Sequence, residues 1–149
     1  MTRPSEIKPR EDSTPGTPYA KFAIGHGLGE TRFTITPDLV EEYFRAVDSD
    51  MGLYVIDGRQ AAAPNVLFPY MTCALYRTYP PIQGIVMGEV EIEFHHPIWA
   101  DEETEVVATG AILDKFERKG RRYVRWEEEF RRADGQLLAK LVNTFHVPE

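Results

Sequence analysis

The chain has 149 residues, 42% apolar and 28% charged, the profile of one globular domain and not of a disordered or collagen-like chain. Asp plus Glu number 24 against 17 Lys plus Arg, a formal charge of −7; such an acidic surface repels phosphate backbones and excludes nucleic acid as an expected ligand. No run approaches the ~18 apolar residues of a membrane span. The start, MTRPSEIKPREDSTPGTP, has no apolar signal core. A single cysteine, Cys73, with no Cys/His zinc pattern, leaves no internal disulfide and no metal or cofactor to expect, and points to a reducing cytoplasm.

Residues 1–18 carry Pro4, Pro9, Pro15 and Pro18 among polar residues, too little apolar surface to offset ordering entropy. They read as a flexible N-terminal arm, with a docked arm wrapping a partner subunit as the alternative, and 19–149 as one domain. Tyr19–Ile24 reads as extended, Gly25–Gly29 as a turn and Thr31–Ile35 as a strand. Thr36-Pro37-Asp38 starts a helix: a capping hydroxyl, a proline in the first turn and an acid at the positive end of the dipole. Leu39, Val40, Tyr43, Phe44 and Val47 follow at helical spacing, ending near Asp48. Asp48–Ala63 is a long mixed loop of the kind that carries function.

The segment VLFPYMTCALYRTY after Pro64-Asn65 is apolar nearly all round, which predicts a buried helix capped by Asn65 and stopped by Pro80-Pro81. Cys73 lies in its middle as an inert thiol. In Val86–Phe94, Val86, Gly88, Val90, Ile92 and Phe94 alternate with Glu89, Glu91 and Glu93, so one face is buried and one wet. A turn at Pro97–Asp101 leads to a strand over Thr104–Phe116. Lys119-Gly120 turns it into Arg121–Arg132, where Val124, Trp126 and Phe130 share a face. Asp134-Gly135 is a hairpin signal before Leu137–Val147. One all-apolar helix plus a long meander implies an α+β fold, a curled antiparallel sheet wrapped around one long buried helix, the hotdog arrangement.

The segments TITPDLVEEYFRAVDSD, APNVLFPY, EFHHPIWADE and DGQLLAKLVNTFHV resemble the MaoC-like (R)-specific enoyl-CoA hydratase/dehydratase branch of the hotdog superfamily. The Ala-Pro before the buried helix is most like that branch's degenerate dehydratase-type repeats. The resemblance spans about Phe22 to Val147. It implies action on acyl-CoA or acyl-carrier thioesters in a homodimer, or a heterodimer with another hotdog chain. It further implies a loop motif of Asp, any residue, Asn, Pro, an aliphatic residue and His, whose Asp and His hold the attacking water. A backbone N–H at the helix start would bind the thioester oxygen.

This chain reads Asp48-Ser49-Asp50-Met51-Gly52-Leu53-Tyr54 at that place. Asp50 or Asp48 takes the aspartate position, no histidine follows, and Tyr54 is the nearest substitute. The resemblance thus nominates Asp50, Tyr54 and Asp48 for catalysis and the Asn65 and Val66 amides for the thioester oxygen. His26, His95, His96 and His146 read as solvated or structural. Arg118, Lys119, Arg121, Arg122 and Arg125 crowd one hairpin. They read either as a solvated tip balanced by Glu117, Glu127, Glu128 and Glu129, or as a phosphate clamp centred on Arg121 and Arg122. Three functions compete: a hydratase/dehydratase-like subunit, either weakly active through Asp50 or with a degenerate site completed by or supporting a partner chain, a non-catalytic acyl-binding scaffold, and a thioesterase. The last needs a carboxylate near the buried helix, and only a loop residue such as Asp57 could supply it.

Overall fold

In the computed structural model, which describes residues 2–8 and 15–148, a five-stranded antiparallel sheet curls around the apolar segment 64–78. The chain begins with a helical turn, α1 (Pro4–Ile7), and after a 3-10 turn over Tyr19–Lys21 enters β1 (Thr31–Ile35) and α2 (Pro37–Ala46). The loop that follows contains a 3-10 turn, Met51–Tyr54, and a small hairpin of β2 (Val55–Ile56) and β3 (Arg59–Gln60). A 3-10 stretch, Pro64–Tyr70, then precedes α3 (Cys73–Thr78). The remainder is β4 (Val86–Phe94), β5 (Thr104–Arg118), β6 (Arg121–Arg132) and β7 (Leu137–Val147). The strands lie in the order β1-β5-β6-β7-β4.

The α+β hotdog architecture holds, with one difference in its centre. The buried segment is wound as 3-10 and then α, and Pro69 is the reason. It has no N–H to donate, and its ring disfavours the α conformation in the residue before it, so Pro64–Tyr70 takes the tighter winding. Asn65 does not cap: Ala63 holds the cap position without a side-chain bond. The segment nonetheless sits where the apolar pattern demands. Val66, Leu67, Tyr70, Cys73, Ala74 and Leu75 are all buried against the inner face of the sheet. Phe33 of β1 stacks on Tyr70 with ring centroids 4.0 Å apart, and Trp126 of β6 meets Phe145 of β7 edge-on at 4.8 Å.

Thr36 caps α2 as expected, accepting from the Leu39 amide at 3.3 Å. Lys119 and Gly120 both take positive φ, 51° and 73°, the geometry of the tight β5–β6 turn. The alternation of β4 is only partly realised: Val86 is 59% and Phe94 47% exposed. β4 is an edge strand, and a bulge between Met87 and Glu89 resets its phase, so its apolar side is half covered. Residues 9–14 of the expected arm lie outside the described residues. Residues 2–8 lie against the body of the chain. Ile7 is buried, Arg3 grips Glu42 at 2.6 Å, and the Tyr70 hydroxyl donates to the Thr2 carbonyl.

Candidate functional site

Loop 48–63 is held onto the sheet by a set of specific contacts. The Ala62 amide donates to the Ile98 carbonyl at 2.8 Å, and the Ala100 amide to the Gln60 carbonyl at 3.0 Å. The Gln60 side-chain amide donates to the carbonyls of Met51, Tyr54 and Ala61. The Arg59 guanidinium lies 4.4 Å above the Trp99 ring and pairs with Asp101 at 2.6 Å and Glu102 at 3.1 Å. That guanidinium holds both carboxyls below the usual carboxylate range. Arg132 of β6 closes the network on Glu102 at 3.2 Å. Backbone pairing and the planar Arg fork together turn a loop into a wall.

Behind that wall lies an apolar cavity of about 270 Å³. Leu53, Tyr54 and Ile56 line it from the loop, and Pro64 and Leu67 from the start of the buried segment. The opposite wall is the end of β4 and the turn after it, with His95, His96 and Ile98. Its polar side chains are therefore one phenol and two imidazoles. The His96 Nδ1 lies 2.8 Å from the Leu137 carbonyl, and the His95 Nε2 lies 3.5 Å from the Glu93 carboxylate.

Of the three loop residues nominated for catalysis, only Tyr54 lines this cavity, its ring 5.5 Å from that of Phe44. Asp48 is exposed with φ 49°, just past the end of α2. The Ser49 amide donates to the Phe44 carbonyl at 3.0 Å and the Asp48 amide to the Arg45 carbonyl at 3.3 Å. That pair of bonds is a Schellman ending, and Asp48 fills its left-handed position. Asp50 caps the 3-10 turn, its Oδ1 accepting from the Gly52 amide at 2.8 Å. Asp57 is likewise a left-handed turn residue, φ 50°, at the tip of the β2–β3 hairpin.

The Val66 amide donates to the Ala63 carbonyl at 2.9 Å, so that N–H is already spent on closing the turn. Asn65 is half-buried in the same turn, and neither residue lines the cavity. Arg121 and Arg122 lie elsewhere. Arg122 pairs across the sheet with Val147, whereas Phe94 at the cavity pairs with Ala139. Those register positions are separated by about 26 Å along β7 at about 3.3 Å per residue. Arg121, Arg118 and Lys119 surround a separate polar pocket with Phe116 and Tyr123, while Arg122 pairs with Glu117 at 3.2 Å.

His95 and His96 are both exposed, the solvated position expected for them, and they also line the cavity. Their place beside the loop is a property of the β4–β7 register and the turn after it. The reading that needs correcting is that of Glu128, taken above as balancing the hairpin cations. It is fully buried, on the same face as Trp126 and Phe130, and the period of two already placed it there. His26 approaches the Tyr79 hydroxyl through Nδ1, the structural role expected of it.

No protein-family model and no curated protein matches the chain. Solved structures do match, at low identity. The R-hydratase PhaJ1 of Pseudomonas aeruginosa aligns with a TM-score of 0.68 and 15% identity over 90% of this chain and 87% of that one. A MaoC-like dehydratase from Rhodospirillum rubrum gives 0.68 and 16% over 86% and 94%. The HadBC (3R-hydroxyacyl-ACP dehydratase) complex of Mycobacterium tuberculosis gives 0.63 and 20% over 78% and 90%. The chain has the hotdog fold, in the form that MaoC-like dehydratases and (R)-hydratases share.

Proposed function

We propose that this protein is an acyl-thioester hydratase/dehydratase-like subunit, acting on 3-hydroxyacyl or enoyl thioesters in the cytoplasm. The observation that carries the reading is the apolar cavity between the loop wall and the start of the buried segment. It is closed on one side by apolar residues and carries a phenol and two imidazoles on the others. Ligand sites of this kind are mostly apolar with few polar groups. An acyl chain would occupy the apolar part and the thioester the polar part.

A second hotdog chain, the same or different, would cover the mouth, where Leu53, Ile56 and Phe94 are each 44–75% exposed. HadBC and ChsH1-ChsH2, two of the structural neighbours, are complexes. Within this reading Tyr54 touches substrate, and Asp48 and Asp50 shape the loop. Arg121 and Arg122 are too far along the sheet to serve the cavity of their own chain, so a phosphate clamp there would serve a neighbour's ligand. A thioesterase is disfavoured, since no Asp or Glu lies between Asn65 and Tyr79 and Asp57 sits in an exposed turn.

The test is binding of butyryl-CoA by calorimetry, together with hydration of crotonyl-CoA followed at the conjugated-thioester absorbance. Binding with turnover is the expected result. Binding without turnover would leave the acyl-binding scaffold, and the absence of both would end the acyl-thioester reading.

A further inference from the structure

The loop motif lacks a histidine, yet the cavity does not lack an imidazole. We infer that His96 is the general base of this site, supplied by the turn after β4 and not by loop 48–63. This deepens the functional reading above and rests on it.

The tautomer carries the argument. The Leu137 carbonyl is only an acceptor, so the contact at 2.8 Å requires the proton on Nδ1 of His96. Nε2 is then left with a lone pair. A hydrogen bond at one ring nitrogen is how a protein sets which face of an imidazole acts as base. The chain holds the ring from both sides of the residue. The His95 amide donates to the Leu138 carbonyl at 2.8 Å, and Pro97, whose φ the ring restrains, also lines the cavity. His95, by contrast, shows no hydrogen bond from its ring to a backbone carbonyl among the described residues, and its Nε2 lies 3.5 Å from the exposed Glu93 carboxylate.

The step balances with one base. The Nε2 lone pair takes a proton from water as the water oxygen bonds to C3 of the enoyl thioester. The C2–C3 π pair moves toward the thioester carbonyl as an enolate. The imidazolium then returns its proton to C2, so one water is added across the double bond and the histidine is regenerated. Tyr54 lines the same cavity and would supply a phenol to the water or the thioester oxygen.

The test uses the full chain and the variant His96→Asn. Asparagine keeps a donor for the Leu137 carbonyl and removes Nε2. Crotonyl-CoA hydration should fall by about 10²–10⁴-fold. Butyryl-CoA binding should change by less than about threefold, and thermal unfolding should match the parent. His146→Asn, at the far end of β7 against Tyr123 and away from the cavity, should retain most of the rate. His96→Ala should regain turnover on addition of free imidazole, which a purely structural loss would not allow. Binding of butyryl-CoA without turnover by the parent, or turnover undiminished in His96→Asn, overturns the assignment of the base. Absence of butyryl-CoA binding overturns the functional reading itself.

Discussion

Glu128 is the most consequential single residue outside the cavity. Its carboxyl is fully buried, and neither oxygen makes a regular hydrogen bond, although the Trp126 indole and the Ala74 amide face it. The Asn143 amide, directly across from Trp126, is also unsatisfied. Burial pushes the carboxyl well above its ordinary value, and the field of Lys8 opposes this only in part. The folded protein therefore binds that proton more tightly than the unfolded chain. The stabilisation is complete below the ordinary carboxylate range and is lost as pH rises toward the raised value. We expect Glu128→Gln to be more stable than the parent at pH 8, because the amide cannot ionise in the buried site. The difference should shrink toward pH 4 in urea titrations. Cys73 shows the same physics without a function. Burial raises its thiol to about 12, so a thiol reagent should react only on unfolding. Asp48 tests the helix ending: Asp48→Gly should preserve or raise stability by up to about 1 kcal/mol. Asp48→Val should lose about 1–2 kcal/mol, because a branched side chain resists the left-handed region.

Elements are held by close approach as much as by burial. Gly110 of β5 faces Glu127 of β6 so tightly that a Cβ there would lie 2.2 Å from the Glu127 carbonyl oxygen. The Gly110 carbonyl also accepts from the Leu28 amide at 2.9 Å, which ties the glycine turn to the sheet. Gly110→Ala should cost about 1–3 kcal/mol or more in denaturant melts, since two backbones would have to part. The loop wall behaves differently. Its Arg59 network is surface-exposed, so Arg59→Ala should change global stability by less than about 1 kcal/mol. The same change should raise proteolytic cleavage within 48–63, because the local anchor is gone.

At the scale of the molecule, the open edges and apolar mouth call for a neighbour. Among the described residues, β1 and β4 each pair on one side only. Leu53, which lines the cavity together with Phe94 of β4, is 75% exposed in a protein of charge −7. Exposed apolar surface of this extent next to an unpaired strand is a recognition surface or a liability. Sedimentation should show a dimer or larger assembly, and Leu53→Glu should shift it toward monomer with the circular dichroism spectrum unchanged. A parent chain that sediments as a monomer at micromolar concentration would count against a shared site.

Much of this molecule was legible in its residues, because period-two and period-3.6 patterns reflect which faces meet water. Asp134-Gly135 turns the chain, but within a longer connection over 133–136 in which only Gly135 is left-handed, not the two-residue turn its spacing suggests. The strands from Thr104 to Val147, the Thr36-Pro37-Asp38 helix start and the two-residue turn at Lys119-Gly120 follow from local chemistry. So does the inward position of Glu128, had the alternation been followed through an acidic run. Tertiary structure alone decided the rest. β4 lost part of its buried face by falling at the sheet edge, whereas the 3-10 winding before α3 is the local stereochemistry of Pro69. The cavity joins Tyr54 to His96, 42 positions later in the chain. Long-range register, not local pattern, sets that distance, and no spacing in the sequence could announce it.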